Sequence, residues 1–129
     1  QEYEKITMKY YIINLQKHFD SRGKLIVCEN GIDCPFEIKR VFLMYENDPK
    51  AIRGAHSNQK SQFLLMAIKG KCRIKVADGE HSCSFTLDTP EKALYLDKMV
   101  WKEISDFSKD AVLLVLSSEK YDPDEYVNQ

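Results

Sequence analysis

The sequence predicts an all-β chain that folds into a barrel of the jelly-roll type. Short runs rich in β-branched and aromatic residues recur along the chain with turn-forming residues between them, a pattern typical of all-β barrels. Helical periodicity is not sustained over about ten residues anywhere, and a chain of 129 residues has the size of one domain. The predicted strands are residues 10–15, 23–29, 38–45, 63–68, 71–76, 82–87, 93–96, 100–105 and 111–117.

Turn-forming residues occupy the connections between these runs. The strongest hairpin signal is Asp78-Gly79, which stands between residues 71–76 and 82–87. Residues 71–76 alternate between basic and apolar side chains, so one face of that strand is predicted to pack inward and the other to meet water. The inward-facing set is Cys72, Ile74 and Val76.

Two of the runs, residues 63–68 and 111–116, are continuously apolar. Such runs are typical of strands that are covered on both faces, by a second sheet or by a second subunit, so we expect a homodimer. The tail, residues 119–129, predicts at most a short terminal helix or an arm. Residues 1–7 are predicted to be a variable extension of one domain that spans residues 1–129.

The composition argues against several classes of partner. Nineteen lysine and arginine residues against twenty aspartate and glutamate residues give a net charge of −1, so the basic excess typical of nucleic-acid-binding proteins is absent. No apolar run has the length of a membrane-spanning helix, and we expect no membrane partner. The four cysteines lack the spacing of a zinc site. They are predicted to be reduced packing residues of a cytoplasmic protein.

The densest polar cluster, residues 53–62, is predicted to lie between two strands. Its spacing is similar to the first motif of the cupins, whose metal-binding members carry His-x-His, then a carboxylate, and a third histidine on a later strand. Here His56 is retained, but Asn58, Gln62 and Lys102 stand at the other positions. Neutral amides bind transition metals poorly, and a protonated amine cannot coordinate a metal. The sequence therefore predicts a cupin barrel that works without a metal.

Five short segments occur in the order that characterises one family of cupins. They are Phe19-Asp20-Ser21-Arg22-Gly23, Ile38-Lys39-Arg40-Val41-Phe42, Arg53-Gly54-Ala55-His56, Val100-Trp101-Lys102-Glu103 and Asp106-Phe107-Ser108. On these segments the chain, from about Met8 to Tyr126, resembles the sugar-nucleotide 3,4-ketoisomerases. Asn58 departs from the family members that carry His-x-His.

The resemblance implies a reaction and a substrate. The family converts dTDP-4-keto-6-deoxy-D-glucose to a dTDP-3-keto-6-deoxyhexose, which an aminotransferase can turn into a 3-amino sugar for a surface glycan. A base takes the C3 proton, an enediol forms, and a proton returns at C4, so no cofactor is expected. His56 is the candidate base, because an imidazole that titrates near neutrality can accept and deliver protons.

Two further residues are catalytic candidates, each with an open alternative. Asn58 lies two residues after His56 and would share its face in an extended segment, where it would bind a sugar hydroxyl or the enediolate. It could equally be a turn residue. Tyr45 offers a phenol at the end of its strand, and a core or edge aromatic is the alternative reading of that position.

Three basic residues are candidates for substrate binding. Arg53 and Arg40 carry guanidinium groups, which match the oxygens of a diphosphate in a bidentate manner. The alternative for both is a surface salt bridge. Lys102 would offset the charge of the enediolate inside the barrel, or it would face solvent beside Trp101.

Two other functions are compatible with the sequence. A dTDP-sugar 3,5-epimerase on the same barrel would abstract a proton beside the same ketone at different carbons. A non-catalytic cupin would bind the nucleotide sugar without turnover. A metal-dependent dioxygenase is disfavoured because the positions of the metal ligands are occupied by an amide and an amine.

Overall fold

The computed structural model describes residues 8–128, which form an all-β chain. The predicted extension, residues 1–7, lies outside the described residues. Within the described range, no helix is long and apolar enough to cross a membrane. The strands are β1 Tyr10–Asn14, β2 Gln16–Asp20, β3 Gly23–Val27, β4 Arg40–Met44, β5 Arg53–Asn58, β6 Phe63–Lys69, β7 Cys72–Ala77, β8 Ser82–Leu87, β9 Lys92–Leu96, β10 Trp101–Ser105, β11 Val112–Ser117 and β12 Tyr126–Asn128, and a 3₁₀ turn, Pro123–Glu125, precedes β12.

Two five-stranded sheets face each other and enclose the barrel. The strand order is β1-β9-β6-β11-β4 in the first sheet and β12-β5-β10-β7-β8 in the second. Strands that are distant in sequence are neighbours in both sheets, as in jelly rolls. The hairpin of β2 and β3 forms a separate two-stranded sheet. The predicted all-β barrel is therefore confirmed.

The barrel interior is filled by the inward-facing residues of both sheets. In β7 the buried and exposed residues alternate as predicted, and Ile74 and Val76 are fully buried. They pack with Leu65 of β6 and Ile104 of β10 in one apolar cluster. The predicted hairpin between β7 and β8 is also present, and Asp78 closes it because its Oδ1 accepts hydrogen bonds from the backbone N–H groups of Glu80 and His81.

A second apolar cluster covers the outside of the first sheet. Leu64 and Met66 of β6 face away from the barrel interior, and yet both are buried. Leu15 and Phe36, from the segments that flank the β2–β3 hairpin, cover them. The continuous apolar run of β6 is thus explained by burial on both faces within one chain.

The structure contains three strands that the sequence pattern did not predict, β2, β5 and β12. β5 lies within the polar cluster, residues 53–62, and it lacks alternation of apolar and polar residues. It is extended because β10 and β12 pair with it on both sides. The tail contains both the short helical turn and an arm, which is β12.

We expect the substitution Ile74→Ala to lower the free energy of unfolding by about 2–5 kcal/mol, because it removes a fully buried side chain from the barrel interior. Urea unfolding followed by circular dichroism measures the change. The control is Lys75→Ala, which alters the neighbouring exposed residue of the same strand and should change stability by less than about 0.5 kcal/mol. Equal effects of the two substitutions would contradict the described packing.

Candidate active site

A β-bulge in β5 shapes the polar side of the barrel cavity. Gly54 and Ala55 have positive φ angles of 82° and 58°. In the pairing with β10, His56 lies opposite Lys102 and Gly54 lies opposite Glu103, so Ala55 is the extra residue of the bulge. In a regular strand, Arg53 and His56 would face opposite sides, because their spacing is odd. The bulge brings both to the same cavity.

Gly54 is required at this bulge for two reasons. Its positive φ is unfavourable for residues with a Cβ, and a Cβ built there would lie 3.1 Å from the backbone oxygen of Lys102. The close approach of β5 to β10 therefore depends on the missing side chain.

Most of the predicted site residues line one cavity of about 190 Å³ between the two sheets. Arg40 of β4 lies on one side, and Lys102 of β10 lies on the other. Arg53, His56 and Asn58 of β5 complete the polar lining. The remaining lining is largely apolar and comes from the barrel interior. The charged side chains of the cavity are therefore partly shielded from water.

His56 is held in a defined tautomer. Its Nδ1 lies 2.9 Å from the backbone oxygen of Gly54, which can only accept a hydrogen bond, so Nδ1 carries the proton. The ring also stacks on Tyr126, with centroids 4.2 Å apart. In the neutral ring Nε2 is then the free proton acceptor.

Burial lowers the pKa of His56, and the nearby Lys102 ammonium lowers it further. The hydrogen bond to Gly54 and the charge of Glu125 oppose this shift without reversing it. The shift favours the neutral ring, which is the state that a general base requires.

Lys102 and Asn58 form a buried pair opposite His56. The Lys102 side chain is 7% exposed, and its Nζ donates a 2.9 Å hydrogen bond to Asn58 Oδ1. The same Nζ lies 4.6 Å from the centroid of the Phe63 ring, a cation–π contact. Burial lowers the pKa of Lys102 to about 8. Arg40 contributes to the lowering and Glu125 opposes it.

Glu125 is a buried carboxylate that anchors the tail to the site. It is 2% exposed, and its Oε1 accepts hydrogen bonds from the backbone N–H groups of Lys60 and Ser61, both at 2.9 Å. Its Oε2 accepts a 2.6 Å hydrogen bond from the Ser61 hydroxyl. Burial raises the pKa of Glu125, but these hydrogen bonds outweigh burial and hold the pKa below its usual value.

The two arginines lie where a phosphate group could be bound. Arg40 stacks between the rings of Phe42 and Tyr121, at 4.8 and 5.4 Å from their centroids. Its Nε is buried and has no hydrogen-bond partner among the described residues. The Arg53 side chain is exposed at the cavity. A planar guanidinium with a free donor is suited to bind an oxyanion.

The structure does not bring Tyr45 to the cavity. Side chains alternate along β4, so Arg40 and Met44 line the cavity while Tyr45, just past the strand, is 62% exposed. We therefore withdraw Tyr45 as a catalytic candidate. The phenol beside His56 belongs instead to Tyr126.

Sequence reasoning missed both Glu125 and Tyr126. They lie in a polar tail without apolar periodicity, and the only local signal was Asp122-Pro123, which starts the 3₁₀ turn.

The side chains of the site do not suit a transition metal. Among residues 8–128, no group of three histidine, cysteine, aspartate or glutamate side chains could hold an ion. Within the cavity, His56 has an amide and an ammonium as its polar neighbours. Neither is a good ligand. The arrangement instead provides one base, several cationic groups and hydrogen-bond donors.

Fold and site together define a cupin-type barrel whose cavity groups one histidine with several cationic side chains. The model of the WxcM-like, C-terminal family (FdtA) matches residues 8–129. The chain belongs to this family, which confirms the resemblance seen in the sequence.

Proteins similar to this chain are sugar-nucleotide ketoisomerases. The TDP-4-oxo-6-deoxy-alpha-D-glucose-3,4-oxoisomerase of Aneurinibacillus thermoaerophilus is 38% identical over 122 residues, 95% of this chain and 88% of its own. The TDP-fucose 3,4-ketoisomerase WlaRA of Campylobacter jejuni is 39% identical, with a TM-score of 0.90 over 95% of this chain and 90% of its own.

A third similar protein carries a bound sugar nucleotide. It is a histidine-to-asparagine mutant of the 3,4-ketoisomerase QdtA of Thermoanaerobacterium thermosaccharolyticum in complex with TDP-4-keto-6-deoxyglucose. It is 33% identical, with a TM-score of 0.89 over 94% of this chain and 88% of its own. A 3′-monoepimerase of Streptomyces bikiniensis is only 18% identical, so its TM-score of 0.81 shows the shared fold alone.

We expect Glu125→Gln to lower the free energy of unfolding by about 1.5–3 kcal/mol at pH 7, because an amide replaces a charged acceptor of buried hydrogen bonds. The folded-state pKa of Glu125 is lowered. Its stabilisation is therefore complete above the unfolded pKa of about 4.3 and is lost as the pH falls through the folded pKa.

Urea unfolding of the wild type and of Glu125→Gln between pH 7 and pH 3 measures this effect. The difference between the two proteins should shrink on acidification. Asp124→Asn, which changes an exposed carboxylate in the same turn, is the matched control. A difference that stays constant with pH would show that the charge of Glu125 does not stabilise the fold.

Proposed function

We propose that this chain is a sugar-nucleotide 3,4-ketoisomerase that converts dTDP-4-keto-6-deoxy-D-glucose to a dTDP-3-keto-6-deoxyhexose. The observation that carries the proposal is the position of His56, whose Nδ1 is bound to the Gly54 oxygen so that Nε2 can accept a proton, in a cavity that also contains the buried Lys102. The reactions in the names of the similar proteins support the same reaction class.

His56 is the general base of the proposed reaction. A ketone at C4 acidifies the proton on C3, and Nε2 of His56 removes that proton to form an enediolate. Once O4 has gained a proton and O3 has lost its own, the ring returns a proton at C4, which leaves a ketone at C3 and a hydroxyl at C4. The Gly54 hydrogen bond and the stacking on Tyr126 fix the ring in one orientation, so little freedom is lost when the substrate binds.

The cationic groups of the cavity bind the diphosphate of the substrate and stabilise the enediolate that forms during the reaction. Arg40 and Arg53 bind the diphosphate, for which the buried and unpartnered Nε of Arg40 is the supporting observation. Lys102 offsets the charge of the enediolate, and Asn58 orients its ammonium through the 2.9 Å hydrogen bond.

The product and the state of the cysteines suggest a cellular setting. A 3-keto sugar is a substrate class for aminotransferases, so the product would supply a 3-amino sugar. All four cysteines are free thiols in the structure, which suits the reducing cytoplasm. We place the reaction there.

The first test is incubation of the protein with dTDP-4-keto-6-deoxyglucose in D₂O, with and without a chelator, followed by NMR of the sugar. We expect a 3-keto isomer with deuterium at C4 in both samples. His56→Ala should slow its formation by about 10²–10⁴. His81→Ala, which alters an exposed histidine in the β7–β8 turn, should leave the rate unchanged.

Two outcomes would contradict the proposal. Folded protein that binds dTDP but causes neither deuterium exchange nor a new sugar would be the non-catalytic binding protein. Exchange at C5 instead of C4 would indicate the 3,5-epimerase.

We further propose that the chain forms a homodimer. The outward face of β4, at the edge of the first sheet, carries exposed Val41 and Leu43. The β2–β3 hairpin pairs with neither sheet of its own chain and exposes Phe19 and Leu25. Exposed apolar strands at a sheet edge tend to pair with another surface, and an isolated hairpin is marginally stable. A second copy would cover both.

Sedimentation equilibrium at micromolar concentration tests the dimer, and the wild type should have twice the mass of one chain. Leu43→Glu should shift the protein towards the monomer, because it introduces a charge into the proposed interface. Ser84→Glu introduces the same charge on an exposed residue of β8, the edge strand of the other sheet, and should leave the dimer intact. A monomeric wild type would rule the dimer out.

A further inference from the structure

The proposed reaction, on which this inference rests, needs two kinds of proton transfer. One proton leaves carbon C3 and another arrives at carbon C4. A second transfer between oxygens must also occur, because the C3 hydroxyl becomes a ketone while the C4 ketone becomes a hydroxyl. His56 is the only histidine among the cavity-lining residues of the described chain, and Asn58 cannot exchange protons at neutral pH because it is an amide.

We propose that Lys102 is the second proton carrier of the site and moves the proton between the two sugar oxygens. His56 first takes the C3 proton, which leaves an enediolate, and the ammonium of Lys102 then gives a proton to O4, so a neutral enediol forms. The resulting amine then takes the proton from O3 as the imidazolium of His56 delivers a proton to C4. The C3–H and O3–H bonds break, the C4–H and O4–H bonds form, and both side chains return to their starting states.

The position of Lys102 suits this role. It is the cross-strand partner of His56 in the pairing of β10 with β5, so the two side chains enter the cavity from adjacent strands. Its Nζ is held by Asn58 Oδ1 at 2.9 Å and by the Phe63 ring at 4.6 Å. One acceptor uses one of three ammonium protons, which leaves donors for a bound sugar.

The groups that face Lys102 from the neighbouring elements have opposing effects on its pKa, so that it can both release and accept a proton. His56 and Asn58 lie on β5, Arg40 on β4, and Glu125 on the tail. Burial and the Arg40 charge favour the neutral amine, while the Glu125 charge favours the ammonium. With a pKa of about 8, both forms are accessible near neutral pH, as a proton carrier requires.

The alternative role is a fixed positive charge that only stabilises the enediolate. Lys102→Arg separates the two roles, because a guanidinium keeps the charge but does not release protons. In D₂O, NMR would follow deuterium exchange at C3 and formation of the 3-keto isomer separately. Lys75→Arg, at an exposed residue of the adjacent strand β7, is the matched control.

We expect Lys102→Arg to bind dTDP and to exchange C3, while formation of the 3-keto isomer falls by about 10²–10⁴ relative to exchange. Isomer formation at the wild-type rate would overturn the proposal, since that result is what a fixed charge predicts. Equal loss of exchange and isomer would also overturn it, because the lysine would then act before the transfer between the oxygens. A wild type that neither exchanges nor isomerises would instead refute the proposed function.

A measurement on the wild type remains decisive where Lys102→Arg does not fold. The rate of isomer formation should fall as the pH rises above about 8, because the ammonium that protonates O4 is lost. Exchange at C3 should fall less over the same range, because it needs only the charge of the ammonium and not its proton. Parallel pH profiles for the two processes would overturn the proposal.

Discussion

The buried carboxylate of Glu125 is the contact on which the rest of the site depends. Its hydrogen bonds to Lys60 and Ser61 attach the tail to the end of β5, and this attachment brings Tyr126 against the His56 ring. The same charge partly offsets the cost of burying the Lys102 ammonium, which reaches several kcal/mol for an isolated ion. One side chain therefore fixes the orientation of the base and supports the charge of the amine.

The bulge at Gly54 and Ala55 shows how a regular barrel acquires an irregular site. The left-handed conformation of Ala55, with φ of 58°, costs on the order of 1–3 kcal/mol and persists where the surrounding structure holds it. Here β10 and β12 pair with β5 on both sides, and the well-buried β7 pairs with the other edge of β10. The stability of the apolar barrel thus maintains a strained strand whose side chains are placed for binding and proton transfer.

Prediction from sequence succeeded where local pattern and burial coincide. The alternation in β7 and the continuous apolar run in β6 reflect hydrophobic burial, which can be predicted from the order of apolar and polar side chains. It failed for β5 and β12, because these strands are polar and are extended by hydrogen bonds to distant strands. It failed for Tyr45 because a position at the end of a strand does not say which face the side chain takes.

The sequence by itself determined the all-β class, the family, and the residue types available to the site, because burial patterns and motifs depend on residues that are close together in the chain. Only the tertiary structure decided which of those residues meet. The odd spacing of Arg53 and His56 is compensated by a bulge, and Glu125 reaches Ser61 across 64 residues of chain. Contacts between residues so far apart depend on the closure of the whole barrel, and no local pattern encodes them.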